Sequence, residues 1–380
     1  MTNIYLDHAA TTPVHPDVTV KYAELLGSLF GNPSSIHSYG REARKYLDDA
    51  RKTMAQSINA VPNEIIFTSG GTEADNIAIF GTVASMKEKG NHIITTNIEH
   101  HAVLNPCKQL AIEGYEVTFL EADSNGRIDV NQVKEALTDK TILVSIMLGN
   151  NEVGTVQPIR EVSELLENHQ AVFHTDAVQA YGIIPIDVEV LGVDLLSVSS
   201  HKLNGPKGVG FLYERTGTNT IPHLYGGEQE RKRRAGTENV PAIAAFSCAV
   251  NIAQQSRVDN VEKYHSFKNI LTTNFEAQHI KFKIHADEVE TLPHIVNVSF
   301  PGTDIESLLV NLDMAGVCVS SGSACTAGSI DPSHVLTAMY GDGEPELRNS
   351  VRFSFGLGLD EEQITEAAMK TAEIVKRLVK

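Results

Sequence analysis

The sequence predicts an α/β protein built on a mostly parallel sheet, and two features carry that prediction. From about residue 64, short β-branched runs alternate with amphipathic stretches of ten or more residues, the pattern of βαβ units. The runs are also almost continuously apolar, as strands covered by helices on both faces must be. They are Glu64 to Thr68, His92 to Thr96, Tyr115 to Leu120, Thr141 to Leu148 and Ala171 to His174. Helical patterns such as EADNIAIFGTVASMKEKG and PIREVSELLENH separate them. Two more apolar segments, VDLLSVSS and VGFLYE, flank the turn-rich HKLNGPKG.

After about residue 255 the texture changes to strand-like IVNVSF and VRFSF, a Gly/Ser loop and a last helix. In that helix Ile364, Ala367, Ala368, Ile374, Val375 and Leu378 form one stripe. Asp360, Glu361 and Glu362 open it and Lys376, Arg377 and Lys380 close it, which suits the helix dipole. The expected division is a large domain over residues 14–255 and a smaller α+β domain over 256–380, joined by the N-terminal segment 1–13.

The 380 residues are 42% hydrophobic, which excludes a disordered chain and leaves apolar surface for about two domains. Lys+Arg 31 against Asp+Glu 48 gives a net charge of -17, which argues against direct binding to nucleic acid or to an anionic membrane. No uncharged apolar run approaches the roughly 20 residues that span a bilayer. The start, MTNIYLDHAATTP, has no cationic region and does not read as a signal peptide. Cys107, Cys248, Cys318 and Cys325 are too few and too scattered for a disulfide framework, so a reduced, cytoplasmic protein is expected.

In a parallel α/β sheet the ligand sits beyond the carboxyl ends of the strands. After EIIF comes TSGGTEADN, which is either an ordinary strand-to-helix turn or, with its glycines and with Thr72 and Glu73 opening a helix, a seat for an anion such as phosphate. His100 and His101 follow HIITTN; adjacent residues diverge, so at most one of them serves a pocket. No H-E-x-x-H or other metal-ligand spacing is present. Asp176 closely follows AVFH, with Gln179 three residues on. A buried carboxylate there needs a cation, and the protonated ring nitrogen of pyridoxal phosphate is one that meets the need. Lys202 in SSHKLNGPKG leaves a strand among Ser199, Ser200 and His201, where an amine is desolvated and made nucleophilic. Taken singly, a strand-exit lysine is a structural residue more often than a catalytic one. Together with the anion turn and Asp176, it completes the set that pyridoxal phosphate requires.

Arg352 alternates with apolar neighbours in SVRFSF and calls for a carboxylate, from a substrate or from a nearby Asp or Glu. Cys248 and Cys318 lie in apolar patterns and read as core, and Cys107 as helix packing. Cys325 lies among small residues in VSSGSACTAGSIDPSH and reads as an exposed thiol on a mobile loop, tolerable mainly where reactivity is useful. The run Arg231, Lys232, Arg233, Arg234 reads as solvated surface or as a flexible docking loop.

In order, DHAATTP, TSGGTEADN, EHHAV, NNEVGTVQPI, HTDAVQAYG, SSHKLNGPKG, GGEQERKRRAGTEN, SSGSAC and SVRFSFG closely resemble the cysteine desulfurases of the NifS/IscS type. These are class V, fold-type I pyridoxal phosphate enzymes, and the motifs run from residue 7 to 358. The resemblance implies the PLP-dependent transferase fold, with the cofactor in the large domain. It implies that Lys202 carries the cofactor, Asp176 pairs with its ring nitrogen, Gln179 bonds the ring hydroxyl, and His100 stacks on the ring and handles protons. Gly71, Thr72, Ser199 and His201 correspond to the phosphate cradle, and Asn151 to a contact with cofactor and substrate. Thr237 is similar to a residue reaching the neighbouring subunit's phosphate, which implies a homodimer. Arg352 resembles the clamp on the substrate carboxylate and Cys325 the sulfur acceptor.

The implied activity removes sulfur from L-cysteine, leaving L-alanine and a Cys325 persulfide that passes to an acceptor protein for iron-sulfur cluster assembly or tRNA thiolation. No resident metal is implied; the Cys325 persulfide meets an iron-sulfur cluster only in passing. Asn204 departs from the aromatic or histidine usual at its place. The competing expectations are another class V enzyme, a selenocysteine lyase or an aminotransferase that needs no Cys325, and a non-catalytic sulfur carrier or scaffold.

Overall fold

The computed structural model describes residues 3–321 and 332–379. Strand β1 (Ile4–Tyr5) and helices α1 (Pro16–Ser28) and α2 (Ser38–Ser57) precede the main sheet. There follow β2 (Ile65–Thr68), α3 (Gly71–Met86), β3 (His92–Thr96), α4 (His101–Ile112), β4 (Glu116–Leu120), α5 (Val130–Ala136) and β5 (Thr141–Ser145). Then come α6 (Ile159–Leu166), β6 (Val172–Asp176), α7 (Val188–Leu191), β7 (Leu195–Ser199) and β8 (Gly210–Glu214). The long α8 (Val240–Ala277) leads to β9 (Lys283–Ile284), β10 (Ile295–Ser299), α9 (Ile305–Met314), β11 (Val317–Cys318), α10 (His334–Tyr340), β12 (Ser350–Ser354) and α11 (Glu361–Leu378).

The expected runs became strands because their β-branched and aromatic side chains pack into a sheet covered on both faces: β3, β5 and β7 are buried at every position. Seven strands lie in the order β2-β8-β7-β6-β5-β3-β4. All are parallel except β8, which runs against both neighbours. The short HKLNGPKG link forces that reversal, since a parallel neighbour needs a long crossover. Gly210 on β8 lets two backbones meet, because a Cβ there would stand 2.8 Å from the Cα of Gly70. Strand β5 stops at Ser145 rather than Leu148, but Ile146 and Leu148 still donate to the carbonyls of His174 and Asp176 at 3.1 and 2.8 Å, guiding the chain out past the strand ends.

A second sheet, β12-β10-β9, is antiparallel, and β1 pairs in parallel with β11. Each sheet has its own apolar core. Phe67, Phe173, Phe211 and Phe246 lie in the first; Phe267, Phe275, Phe300, Phe353 and the α11 stripe lie in the second. Helix α8 enters both, giving Val240 to Val250 to the first and Tyr264 to Phe275 to the second. Helix α11 starts on an Asp360–Gln363 capping box, each residue's side chain accepting from the other's backbone N–H.

Cys107 is fully buried, and burial pushes its thiol up to about 12, so it is a packing residue. Cys248 and Cys318 are only half-buried, which corrects the expectation that both are core. Cys318 lies on a two-residue strand, and Cys248 packs at the margin of the small cluster formed by Val18, Ala245 and Ala249. Cys325 and its neighbours Gly322 and Gly328 lie outside the described residues. No helix among the described residues is long and apolar enough to cross a membrane.

Candidate active site

The carboxyl ends of β2, β5, β6 and β7 converge on one cavity of about 340 Å³. Gly71, Thr72, His100, Asn151, Asp176, Gln179, Ser199, His201, Lys202 and Arg352 all line it. Ten residues singled out from six separate stretches of sequence thus share one hollow: the parallel sheet delivers its strand exits to one edge, and β12 of the second sheet brings Arg352 to the same place. Thr237 does not join them; on this chain it is exposed and away from the cavity.

Each group arrives by a definite local route. Helix α3 begins at Gly71 with Gly70 (φ +150) as its cap, and no side chain caps it, so the first-turn N–H groups are free to take an anion. Asp176 ends β6 and is almost wholly buried; Val178 donates its N–H to Oδ1 at 2.8 Å, and no described cation pairs with it. Burial pushes its carboxyl up to about 6, against the pull of the Val178 N–H and of Lys202. Lys202 follows β7 in a short 3₁₀ turn and donates to the carbonyls of Ala9 and Ala10 at 2.5 and 2.9 Å. Its amine is lowered to about 8, first by burial, then by the Arg352 charge, with Asp176 and Asp7 opposing.

His100 caps α4, its Nδ1 accepting from Ala102 N at 3.1 Å, which fixes the proton of the neutral ring on Nε2. The surrounding protein and the Lys202 charge lower it to about 4, although its surface opens on the cavity. His101 turns away and lies against the His334 ring at 4.8 Å. Arg352 on β12 meets Asp7 Oδ1 at 2.8 Å and the Asn151 carbonyl at 2.8 Å, so the nearby carboxylate it called for is Asp7. Its Nε and the Asn151 Oδ1 are buried without a hydrogen-bond partner among the described residues.

Several contributors went unnoticed in the sequence. Ala9 and Ala10, in the quoted DHAATTP, supply only backbone, which no side-chain reading detects. Asp75, three residues past Thr72, lines the cavity at 1% exposure and lies 3.6 Å from His174 Nε2. Burial and the Asp176 charge push its carboxyl well up. Glu99 is likewise buried and raised to about 8, its Oε1 taking the Thr96 hydroxyl and the Met147 N–H. The helical spacing of Asp75 was the one signal available, since it lies one turn from Thr72 on the same face.

The basic run is pinned rather than free, which corrects the reading of a flexible docking loop. Arg234 forms a two-point pair with Glu73 at 2.6 and 3.1 Å and Arg233 donates to the Asn63 carbonyl at 2.7 Å, while Arg231 and Lys232, the latter paired with Glu228, stay at the surface. Just before the run, Glu230 is buried in a two-point pair with Arg51 at 2.6 and 2.7 Å and also accepts from Phe67 N at 2.9 Å. Arg51 stacks over the Phe67 ring.

A fold-type I sheet with a desolvated lysine, a buried aspartate and an uncapped helix start in one cavity defines a pyridoxal phosphate enzyme. Comparison with known proteins agrees. The family model "Aminotransferase class-V" matches residues 4–366. The putative cysteine desulfurase IscS 1 of Bacillus subtilis is 57% identical over all of both chains. The cysteine desulfurase IscS of Dictyoglomus turgidum is 44% identical over 99% of this chain and 94% of its own. A solved NifS-like protein superposes with a TM-score of 0.92 at 34% identity, covering 99% of this chain and 100% of its own. The chain belongs to the class-V aminotransferase family and, within it, to the cysteine desulfurases of the NifS/IscS type.

Pyridoxal phosphate is the cofactor of this family, and the residues present fit it. The uncapped α3 start suits its phosphate, Asp176 lacks among the described residues the cation that the ring nitrogen provides, and Lys202 is the single amine among the described residues of the cavity. Recombination of the apo-protein with the cofactor needs the neutral amine. Its rate is therefore expected to climb with pH and level off just above about 8, where Lys202 loses its proton. A rate still rising near the ordinary lysine value of about 10.4 would contradict the desolvation argument.

Proposed function

We propose that this protein is a cysteine desulfurase that converts L-cysteine to L-alanine and stores the sulfur as a persulfide on Cys325. The observation that supports this most is the pairing of Lys202 and Arg352 in one cavity, an amine for the Cα proton beside a guanidinium for the α-carboxylate. Bound pyridoxal phosphate supplies the electron sink for the pair left when that proton departs. Arg352, braced by Asp7 and the Asn151 carbonyl, orients the carboxylate, and Asn151 adds its own amide. Lys202 Nζ takes the Cα proton and later returns one. His100 holds a proton at Nε2 for the same exchange. Asp176 and Gln179 seat the cofactor ring, while Gly71, Thr72, Ser199 and His201 seat its phosphate. The Cys325 thiolate attacks the substrate sulfur, so that an S–S bond forms as the C–S bond breaks, and the β-carbon takes a proton to become the methyl of alanine.

The wider organisation follows the same reading. Residues 14–255 form the large cofactor-binding domain and 256–380 the small one, with segment 1–13 joining them; the two apolar cores support this. The enzyme is a homodimer in which Thr237 completes the partner's phosphate site. Its exposure here and the exposed Phe30, Ile36 and Tyr225 support that arrangement. It works in the cytoplasm, in keeping with the free Cys107, Cys248 and Cys318. The persulfide sulfur passes to an acceptor protein of iron-sulfur assembly or tRNA thiolation, without direct contact with nucleic acid.

The test is to mix the holoenzyme with L-cysteine and a thiol reductant, measure alanine and sulfide, and map the persulfide by mass spectrometry after alkylation. Equal amounts of alanine and sulfide, with one added sulfur on the Cys325 peptide, are expected. A keto acid product would identify an aminotransferase. Alanine formed without any sulfur on Cys325 would identify a lyase, and no change in cofactor absorbance with cysteine would leave only a carrier.

A further inference from the structure

Behind the cofactor cavity lies a second one of about 200 Å³, and Lys202 is the one described residue that lines both. Its rim includes Lys263, Leu357 and Gly358, all exposed, so it leads from solvent to the lysine without passing the substrate side. Its inner wall holds two histidines that none of the chemistry above uses. His8 and His294 are 3% and 5% exposed. Both ring nitrogens of His8 and Nδ1 of His294 have no hydrogen-bond partner in the protein among the described residues. Buried polar atoms of this kind are normally satisfied by ordered water, and the cavity has room for several molecules.

We propose that this second cavity is a hydrated proton path between bulk solvent and Lys202 Nζ, with His8 and His294 as its fixed stations. The inference rests on the reading that Lys202 handles the Cα proton. With cofactor and substrate occupying the first cavity, the second is a separate route by which the lysine can exchange protons. The neutral amine takes the Cα proton and becomes an ammonium; one ammonium proton leaves along the water chain and another enters. No electrons move and the net proton count is unchanged. The titratable groups around the path are His8, His15, Lys202, Lys263, Tyr264 and His294, and no carboxylate lines it among the described residues. Burial lowers His8 to about 4, the nearby Tyr5 carbonyl opposing without a hydrogen bond of normal geometry, and lowers His294 to about 3. Both rings are thus neutral and keep one donor and one acceptor each, as a relay through water requires. Gly356 is part of the construction, since a Cβ there would collide with the His8 ring.

The experiment supplies L-cysteine deuterated at Cα to the holoenzyme in ordinary water and measures deuterium at Cα of the alanine formed. The wild type is expected to wash the label out almost completely. His8→Leu and His294→Leu should each retain several-fold more, because a stranded ammonium returns the proton it took. Wild-type wash-out in both variants overturns the path. An independent readout, needing neither turnover nor variants, is a high-resolution crystal structure of the wild-type holoenzyme. Ordered waters linking His8 and His294 towards Lys202 are expected there, and a dry cavity overturns the proposal. No alanine from the wild type would instead sink the proposed activity, so the two failures are told apart.

Discussion

Lys202→Ala is expected to lower kcat/KM for alanine formation by about 10³-fold or more, and to leave the cofactor removable by dialysis. Among the described residues lining the cavity, Lys202 is the single amine; the other strong cation, Arg352, is a guanidinium, which offers donors and no acceptor. His100 has one ring nitrogen committed to capping α4. No neighbour can therefore both hold the cofactor and move the Cα proton. Lys202→Arg should fail equally, because its charge is retained and its lone pair is not. A small added amine should restore part of the activity of Lys202→Ala, since the hole it leaves lies between the Ala9 and Ala10 carbonyls that normally hold the ammonium. Rescue by the amine separates lost chemistry from lost folding, and full activity in the alanine variant would remove Lys202 from the mechanism.

The second large effect is on stability. Glu230→Gln is expected to cost about 3–5 kcal/mol of unfolding free energy, measured by denaturant titration, because it strands the Arg51 guanidinium in the interior. The side chains of Arg51 and Glu230 are 6% and 1% exposed, so water cannot replace the lost partner. Arg51 would keep the Ile65 carbonyl, at 2.6 Å, and one neutral amide oxygen, but no negative charge, and the new NH2 would face its own donors. Removing both charges with Arg51→Met and Glu230→Leu should recover much of the loss, as apolar replacements of buried ion pairs often do. Glu230 holds this place with φ +44, followed by Arg231 at +57 and Lys232 at +68, a left-handed stretch that side chains adopt only under outside constraint. The pair supplies that constraint. Phe67, which also bonds to Glu230, lies just ahead of the α3 turn, so cofactor affinity should fall along with stability. A Glu230→Gln variant as stable as the wild type would mean that Arg51 finds another partner.

The strands and the strand-exit residues were legible because both obey short-range rules: apolar runs mark buried strands, and a parallel sheet sends all their exits to one edge. Lys202 and Asp176 stood out on that basis; the choice of His100 over His101 rested on the resemblance, and Arg352, inside a strand of the second sheet, stood out as a guanidinium among apolar neighbours. The rest was hidden for identifiable reasons. The roles of Ala9 and Ala10 belong to carbonyl oxygens. Asp75 and Glu99 lie in helical and turn stretches whose sequence gives no sign of the burial that matters. The cations of the Arg231–Arg234 run looked solvated because their partners Glu73 and Asn63 are more than 160 residues away. The half-exposure of Cys318 depends on the length of β11, which local pattern does not set.

Helix α8 carries 38 residues in one unbroken run, at about 1.5 Å each, and serves both apolar cores. For anyone rebuilding this protein, that helix dictates where the chain can be cut. Dividing the gene near residue 255 would sever a helix midway, and each fragment would show water half of an apolar stripe made to be covered. Such halves should aggregate before they recombine. The largely exposed chain around Thr216 to Asn219, just past the end of β8, is the better place for an inserted tag or a new terminus.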